Sequence, residues 1–137
     1  MCSAIRFFTS EDPLGVYHCH CKSCRRHTGA PLSTMAVYRV DQVEFSGETR
    51  QWFDTSPGVK RGYCGKCGSS MTWETDHPRF GKICSLHIST FDNPNILKPE
   101  AHSFYGEKLT WVDVRDELPR YEGLVKISQL ISYGPNK

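Results

Sequence analysis

The chain has 137 residues, a formal net charge of +2, 38% hydrophobic residues, eight prolines and eleven glycines. That is room for one domain with a modest core, turn-rich enough to read as mainly β with little helix. No basic run exceeds two residues and no apolar run nears the ~18 residues of a membrane span, so neither a nucleic-acid nor a membrane partner is expected.

In chain order, residues 5–8 read as a short strand and 9–15 as a turn around Asp12-Pro13. Residues 16–21 read as a second strand, and 25–31 as a loop or one helical turn closed by Gly29. Residues 35–40 are a third strand. Residues 43–45 and 49–53 flank Ser46-Gly47-Glu48, a hairpin signal. Residues 59–63 form another strand that delivers Cys64-Gly65-Lys66-Cys67-Gly68, and 70–74 and 83–89 continue the sheet. Residues 95–97 make one helical turn, and 101–105 and 109–112 are the last strand candidates. The three tryptophans, Trp52, Trp73 and Trp111, are assigned to the core. The domain closes near residue 122. In the tail, 123–137, Leu124, Ile127, Leu130 and Ile131 recur at helical spacing. A short amphipathic helix there needs a cover, from this domain or from a second copy in a homodimer.

Seven cysteines is an odd number for a secreted disulfide framework, and no apolar leader follows Met1. Reduced thiols in a cytoplasm, with metal as their partner, are expected. Residues 18–27 hold three cysteines and three histidines. On an extended segment Cys19 and Cys21 point to one face and His18 and His20 to the other. Cys24 curls back at C-x-x-C spacing, giving a three-thiolate corner with an open fourth position, the arrangement of a catalytic zinc site. Cys64-x-x-Cys67-Gly68 at a strand end is a zinc knuckle signal. Two readings stand at this point. A simple ribbon would close one zinc site from Cys21, Cys24, Cys64 and Cys67, leaving Cys19 unused, and would be a binding module. Alternatively, Cys64 and Cys67 join Cys2 in a separate structural site that lacks a fourth ligand.

The run from Cys19 to Ala30, CHCKSCRRHTGA, resembles the signature of the glutathione-dependent formaldehyde-activating enzyme family. Residues 2–7 resemble the second half of that family's N-terminal C-x-C-G-x-x-R-F element, and Arg61 to Ser69 its R-x-F-C-x-x-C-G-S element. Phe91-Asp92-Asn93-Pro94, residues 99–102, Trp111 and residues 118–121 follow in the family's order. The similarity spans residues 2–122, and its first C-x-C cysteine would fall before Met1. The resemblance implies a β-tent of stacked antiparallel sheets with up to two zinc ions. By it, Cys19, Cys21 and Cys24 would hold the catalytic zinc, and Cys2, Cys64 and Cys67 the structural one. It implies a carbon–sulfur lyase joining a thiol, glutathione, to a small aldehyde such as formaldehyde.

Three thiolates on Zn²⁺ leave a site charge of −1, which blunts water activation and favours thiol chemistry. Arg25, Arg26 and His27 are candidates for binding substrate. Cys84 offers a rival, a strand-borne thiol for an oxidoreductase. Its bland alternative is a small core residue.

Overall fold

The computed structural model describes residues 1–130 and Tyr133. Among the described residues nine strands and one short α-helix form two layers, almost wholly antiparallel. β1 (Ile5–Thr9) pairs with β4 (Val43–Gly47) in a two-stranded sheet. The other strands are β2 (Gly15–Cys19), β3 (Ser33–Arg39), β5 (Gln51–Ser56), β6 (Val59–Tyr63), β7 (Ser70–His77), β8 (Gly81–His87) and β9 (His102–Ser103). They make one seven-stranded sheet in the order β5-β6-β7-β8-β3-β2-β9. Only the β2–β9 pair in it is parallel. The mainly β, stacked-sheet architecture is the one expected.

β3 lies inside this sheet, and Met35-Ala36-Val37-Tyr38 is sealed from solvent on both faces. That explains its unbroken apolar run, where a half-exposed strand would alternate. One face carries Tyr17, Cys19, Met35, Val37 and Ile83, packed with Leu14, Cys24, Ala101, Val125 and Leu130. The opposite face carries Val16, Ala36, Tyr38, Cys84 and Leu86, roofed by Phe7 and Phe45 of the small sheet and by Phe91. Each large side chain so buried contributes roughly 1.5–3 kcal/mol. The alternation along β2 therefore puts Cys19 on the first face and His18 on the second.

The structure departs from the sequence reading in four places. Residues 43–53 do not form a hairpin: β4 pairs back to β1, with Phe7 opposite Phe45, and β5 pairs forward to β6. Gly47, at φ 85°, marks a close approach, because a Cβ there would strike the Ala4 carbonyl oxygen. Second, the strand expected over 101–105 shrinks to His102–Ser103, and 109–112 is a turn. Third, Trp52 and Trp111 are exposed and only Trp73 packs on the core. Trp52 sits on the edge strand with the Arg50 guanidinium 4.4 Å from its ring. Fourth, the helical turn read over 25–31 and closed by Gly29 begins earlier, at Lys22, as a seven-residue helix described below.

In the tail, Ile127–Gln129 forms one 3-10 turn, and Val125 and Leu130 are buried in the chain's own core. Leu130 packs directly on Gly15, where any side chain would collide with it. The apolar tail residues 125 and 130 are thus covered by the domain itself. Ile131 lies outside the described residues.

Candidate active site

β2 ends at Cys19, and the chain turns through His20 into α1 (Lys22–Thr28). Cys21 is the N-cap, extended at φ −61° and ψ 148°, and its sulfur accepts the Cys24 amide at 3.4 Å. A thiolate in the place of the usual Ser or Asp cap answers the helix's free N–H groups. Gly29, at φ 66°, ends the helix by donating to the Arg25 carbonyl at 2.8 Å. This short helix swings Cys24 back over the end of β2. The sulfurs of Cys19, Cys21 and Cys24 gather within 4.8 Å of one another. Cys19 and Cys24 are buried and Cys21 is half-buried, so the corner faces outward on the Cys21 side. Hydrogen bonds from Cys19 and then Cys24, helped by the Cys24 and Ser23 amides, hold the Cys21 thiol far below its ordinary range. The same sharing pushes Cys19 up.

The second group lies at the entry to β1 and the exit of β6. The sulfurs of Cys2, Cys64 and Cys67 also fall within 4.8 Å of one another, and Cys2 and Cys64 stand 3.7 Å apart. Zinc–sulfur bonds of ~2.3 Å in a tetrahedron set sulfurs about 3.8 Å apart, so this spacing suits the ion. Gly68 at φ 73° turns the knuckle, and its amide meets the Cys64 carbonyl at 2.8 Å. The Ser69 hydroxyl and amide lower the Cys67 thiol to about 6. Cys64 and Cys67 therefore assemble with Cys2 and not with Cys21 and Cys24, against the arrangement of a simple ribbon.

Around the first corner the structure brings in residues that spacing alone does not reveal. Arg61 on β6 is 4% exposed, and both its terminal nitrogens lie 3.8 Å from the Cys24 sulfur. The Tyr17 phenol is buried on the same face, and burial, then the neighbouring thiols, push it well up. His27 on α1 and His87 on β8 have ring centroids 5.5 Å apart. Burial, and then the Arg61 charge, lower His27 to about 4; burial, His27 and Arg61 lower His87 to about 3. Arg25 is committed elsewhere: its Nε donates to the His20 carbonyl at 2.9 Å and its NH2 to the Glu107 carbonyl at 3.2 Å. Arg26 is exposed.

Residues 1–107 match the family described as glutathione-dependent formaldehyde-activating enzyme. The chain belongs to this family. The crystal structure of a Rhodobacter sphaeroides protein is similar in fold, with a TM-score of 0.56 and 16% identity, covering 87% of this chain and 94% of that one. A comparison with curated proteins gave no match.

In this member of the family the His-Cys-His-Cys segment also builds a spine on the far side of β2. His20 Nε2 pairs with His102 Nδ1 at 2.9 Å, and His102 Nε2 with the Asp116 carboxylate at 3.0 Å. The His18 Nδ1 pairs with the Thr34 hydroxyl at 2.8 Å. His102, buried in the parallel β2–β9 register, is a residue the sequence reading missed. Its only signal was a histidine in a weak late motif. The spine fixes the turn between Cys19 and Cys21. Among the described residues no helix is long and apolar enough to cross a membrane.

Cys84 lies on the face of the sheet opposite the corner. It is buried and faces the Glu74 carboxylate at 3.4 Å. Burial, then the Glu74 charge, push its thiol well up, which is the wrong direction for a nucleophile. Glu74 is itself paired with Arg50 at 2.6 Å. Cys84→Ala is expected to leave turnover unchanged and to lower stability by about 1–2 kcal/mol in urea titration.

The buried His87 also sets a pH dependence. Its folded pKa, about 3, lies below the ordinary imidazole value of 6.5, so the unfolded chain binds the extra proton. His87 thus contributes stability that is full above pH 6.5 and drains away as the pH falls toward 3. Between roughly pH 7 and 5.5 the loss from this one group is about 1 kcal/mol. Urea midpoints across that range should fall less steeply, by about one proton, in His87→Gln.

Proposed function

We propose that this chain is a zinc-dependent enzyme of the carbon–sulfur lyase type, joining a thiol, glutathione, to a small aldehyde such as formaldehyde. The overall change is R–SH + H₂C=O → R–S–CH₂–OH. The carbon–sulfur bond forms as the carbonyl π bond breaks, and the thiol proton ends on the oxygen. No oxidant or reductant is needed.

The observation that carries this reading is the three-cysteine corner, open on the Cys21 side and backed by a buried guanidinium. Cys19, Cys21 and Cys24 would hold the catalytic zinc; Cys2, Cys64 and Cys67 would hold the structural one. Bound there, zinc would supply Lewis acidity and would keep an added thiol in its thiolate form at neutral pH. The protein's own residues do the rest. The Cys24 amide and the α1 N-terminus orient the Cys21 sulfur. Arg61 offsets the negative charge of three thiolates in a place water does not reach. Arg25 braces the turn at His20 and so acts on the shape of the corner, which leaves the exposed Arg26 to meet a substrate carboxylate. Trp73, Phe104 and Tyr121 pack on the core cluster that includes Cys19 and Cys24. Seven free thiols suit a reducing compartment, the cytoplasm.

The test is magnetisation exchange by NMR between free glutathione and its formaldehyde adduct, with and without zinc-loaded protein. Faster exchange that a chelator abolishes and zinc restores is the expected result. No acceleration from fully loaded protein would sink the glutathione assignment.

A further inference from the structure

A third group of ligand-type side chains stands apart from both sets of cysteines. A ring nitrogen of His18, a ring nitrogen of His102 and a carboxylate oxygen of Asp116 lie within 4.8 Å of one another. No thiol belongs to this group. Alternation along β2 sets His18 on the face opposite Cys19. The parallel β2–β9 register places His102 directly beside His18, with the ring centroids 4.8 Å apart. Asp116 comes from the loop that follows β9, beyond residues 1–107 that carry the family match.

The spacing suits one ion. Two donors each about 2.1 Å from a metal stand about 3.0–3.4 Å apart, from the right angle of an octahedral site to the wider angle of a tetrahedral one. His102 Nε2 lies 3.0 Å from Asp116 Oδ2. Each of the three is also aimed by a further hydrogen bond, as metal ligands usually are. His18 Nδ1 pairs with the Thr34 hydroxyl at 2.8 Å, which leaves Nε2 for a ligand bond. His102 Nδ1 pairs with His20 Nε2 at 2.9 Å, and as the donor there His102 keeps a lone pair on Nε2. Asp116 Oδ1 accepts the Leu118 amide at 3.1 Å and the Arg120 guanidinium at 3.3 Å, so Oδ2 is the oxygen left to the rings. Arg120 is itself tied to the Leu118 and Asp116 backbone carbonyls at 3.0 and 2.9 Å, which keeps its charge on the Oδ1 side. The group opens outward: the Asp116 side chain is 24% exposed and His18 is half-buried, with His102 as the floor.

We propose that His18, His102 and Asp116 form a metal site, separate from both cysteine groups, for a divalent first-row transition-metal cation. Two imidazoles and one carboxylate are too rich in nitrogen for calcium or magnesium, which take oxygen ligands, and too hard for copper(I), which takes sulfur. Three protein ligands leave further positions to water. Bound there, the ion would fasten the loop that carries Asp116 to the ends of β2 and β9, next to the turn between Cys19 and Cys21. The site needs no thiol and does not rest on the thiol–aldehyde reading.

Cobalt(II) is the probe, added to the whole chain after it has taken up two equivalents of zinc, which the thiolates claim first. One further equivalent is expected to bind. It should give weak d–d absorption without a sulfur-to-cobalt charge-transfer band, and it should shift the ring-proton NMR signals of His18 and His102. Asp116→Asn keeps the oxygen that Leu118 and Arg120 hold, and should weaken cobalt binding by more than about tenfold. His18→Gln should do the same, and neither variant should change the zinc held by the cysteines. Circular dichroism checks the fold of both, and the wild-type NMR reading stands without them. A charge-transfer band with zinc released, and no shift at His18 and His102, would mean that cobalt reaches only the thiolates and would overturn the site. So would an affinity that Asp116→Asn leaves unmoved, or no uptake of a further equivalent at millimolar cobalt. Each of these results leaves the thiol–aldehyde reading standing, because that reading is tested by exchange.

Discussion

Cys24→Ser is expected to abolish accelerated glutathione–formaldehyde exchange while leaving the fold intact. Removal of a residue that merely orients a metal ligand typically costs roughly 10–100-fold, so loss of a ligand itself should cost more than about a hundredfold. The fold should survive because cysteine and serine differ little in size, and α1 is held by other means. Gly29 closes it, the Thr28 hydroxyl bonds the Cys24 carbonyl at 3.0 Å, and Arg25 ties it to the His20 and Glu107 carbonyls. Zinc content should drop by one per chain, and thermal stability should change little. Cys64→Ser is the contrast. Its sulfur is buried among Ile5 and Met71, where β1 meets the large sheet. Loss of metal there should lower the melting temperature before it lowers turnover. If Cys24→Ser unfolds the protein and Cys64→Ser does not, the two groups have their roles exchanged.

Much of this arrangement was legible in the chain. The C-x-C-x-x-C and C-x-x-C-G spacings located both sulfur groups, because ligand spacing is a local property that survives whatever the sheets do. The strands also read correctly in the middle of the chain, where apolar runs are long. The failures share a physical cause, since each depends on a partner far away in sequence. Gly47 looks like a hairpin turn until β1 is laid against it. Gly29 marks the end of helix α1, but its start at Lys22 is hidden, because KSCRRHT has no apolar periodicity and its cap is a cysteine rather than a serine or aspartate. Trp52 resembles core until β5 is seen to be an edge strand beside the Arg50 guanidinium. Arg25 and Arg26 attracted attention by adjacency to the cysteines, whereas the guanidinium that reaches a corner sulfur is Arg61, thirty-seven positions from Cys24. One clue to it was present. β6 reads as a strand, and an arginine at an inward position of a strand is unusual unless something anionic waits for it.

Arg61→Met is expected to slow exchange by about 10–100-fold and to weaken zinc binding at the corner by a similar factor, with Arg61→Lys recovering part of each. The reason is charge. Three thiolates around a divalent cation leave a net −1 in a place where Cys19 and Cys24 are nearly sealed from water. Arg61, equally buried, is the cation in contact with that group. A unit charge pair near 4 Å is worth about 4 kcal/mol at an effective dielectric of 20. Removing one member of a buried pair typically costs about 3–5 kcal/mol, since the other is left uncompensated. The sign should depend on the metal. In the zinc-loaded variant an apolar side chain faces an unbalanced anion, and stability falls. In metal-stripped protein the buried Cys19 and Cys24 thiols, both pushed up, are protonated, so the sulfur that Arg61 touches is neutral and only the half-buried Cys21 stays ionised; removing a buried guanidinium with an unpaired Nε then costs little or even stabilises. Urea titrations of wild type and variant, loaded and stripped, read this directly. A loss of stability that is the same with and without zinc would show that Arg61 packs the sheet and does not balance the corner.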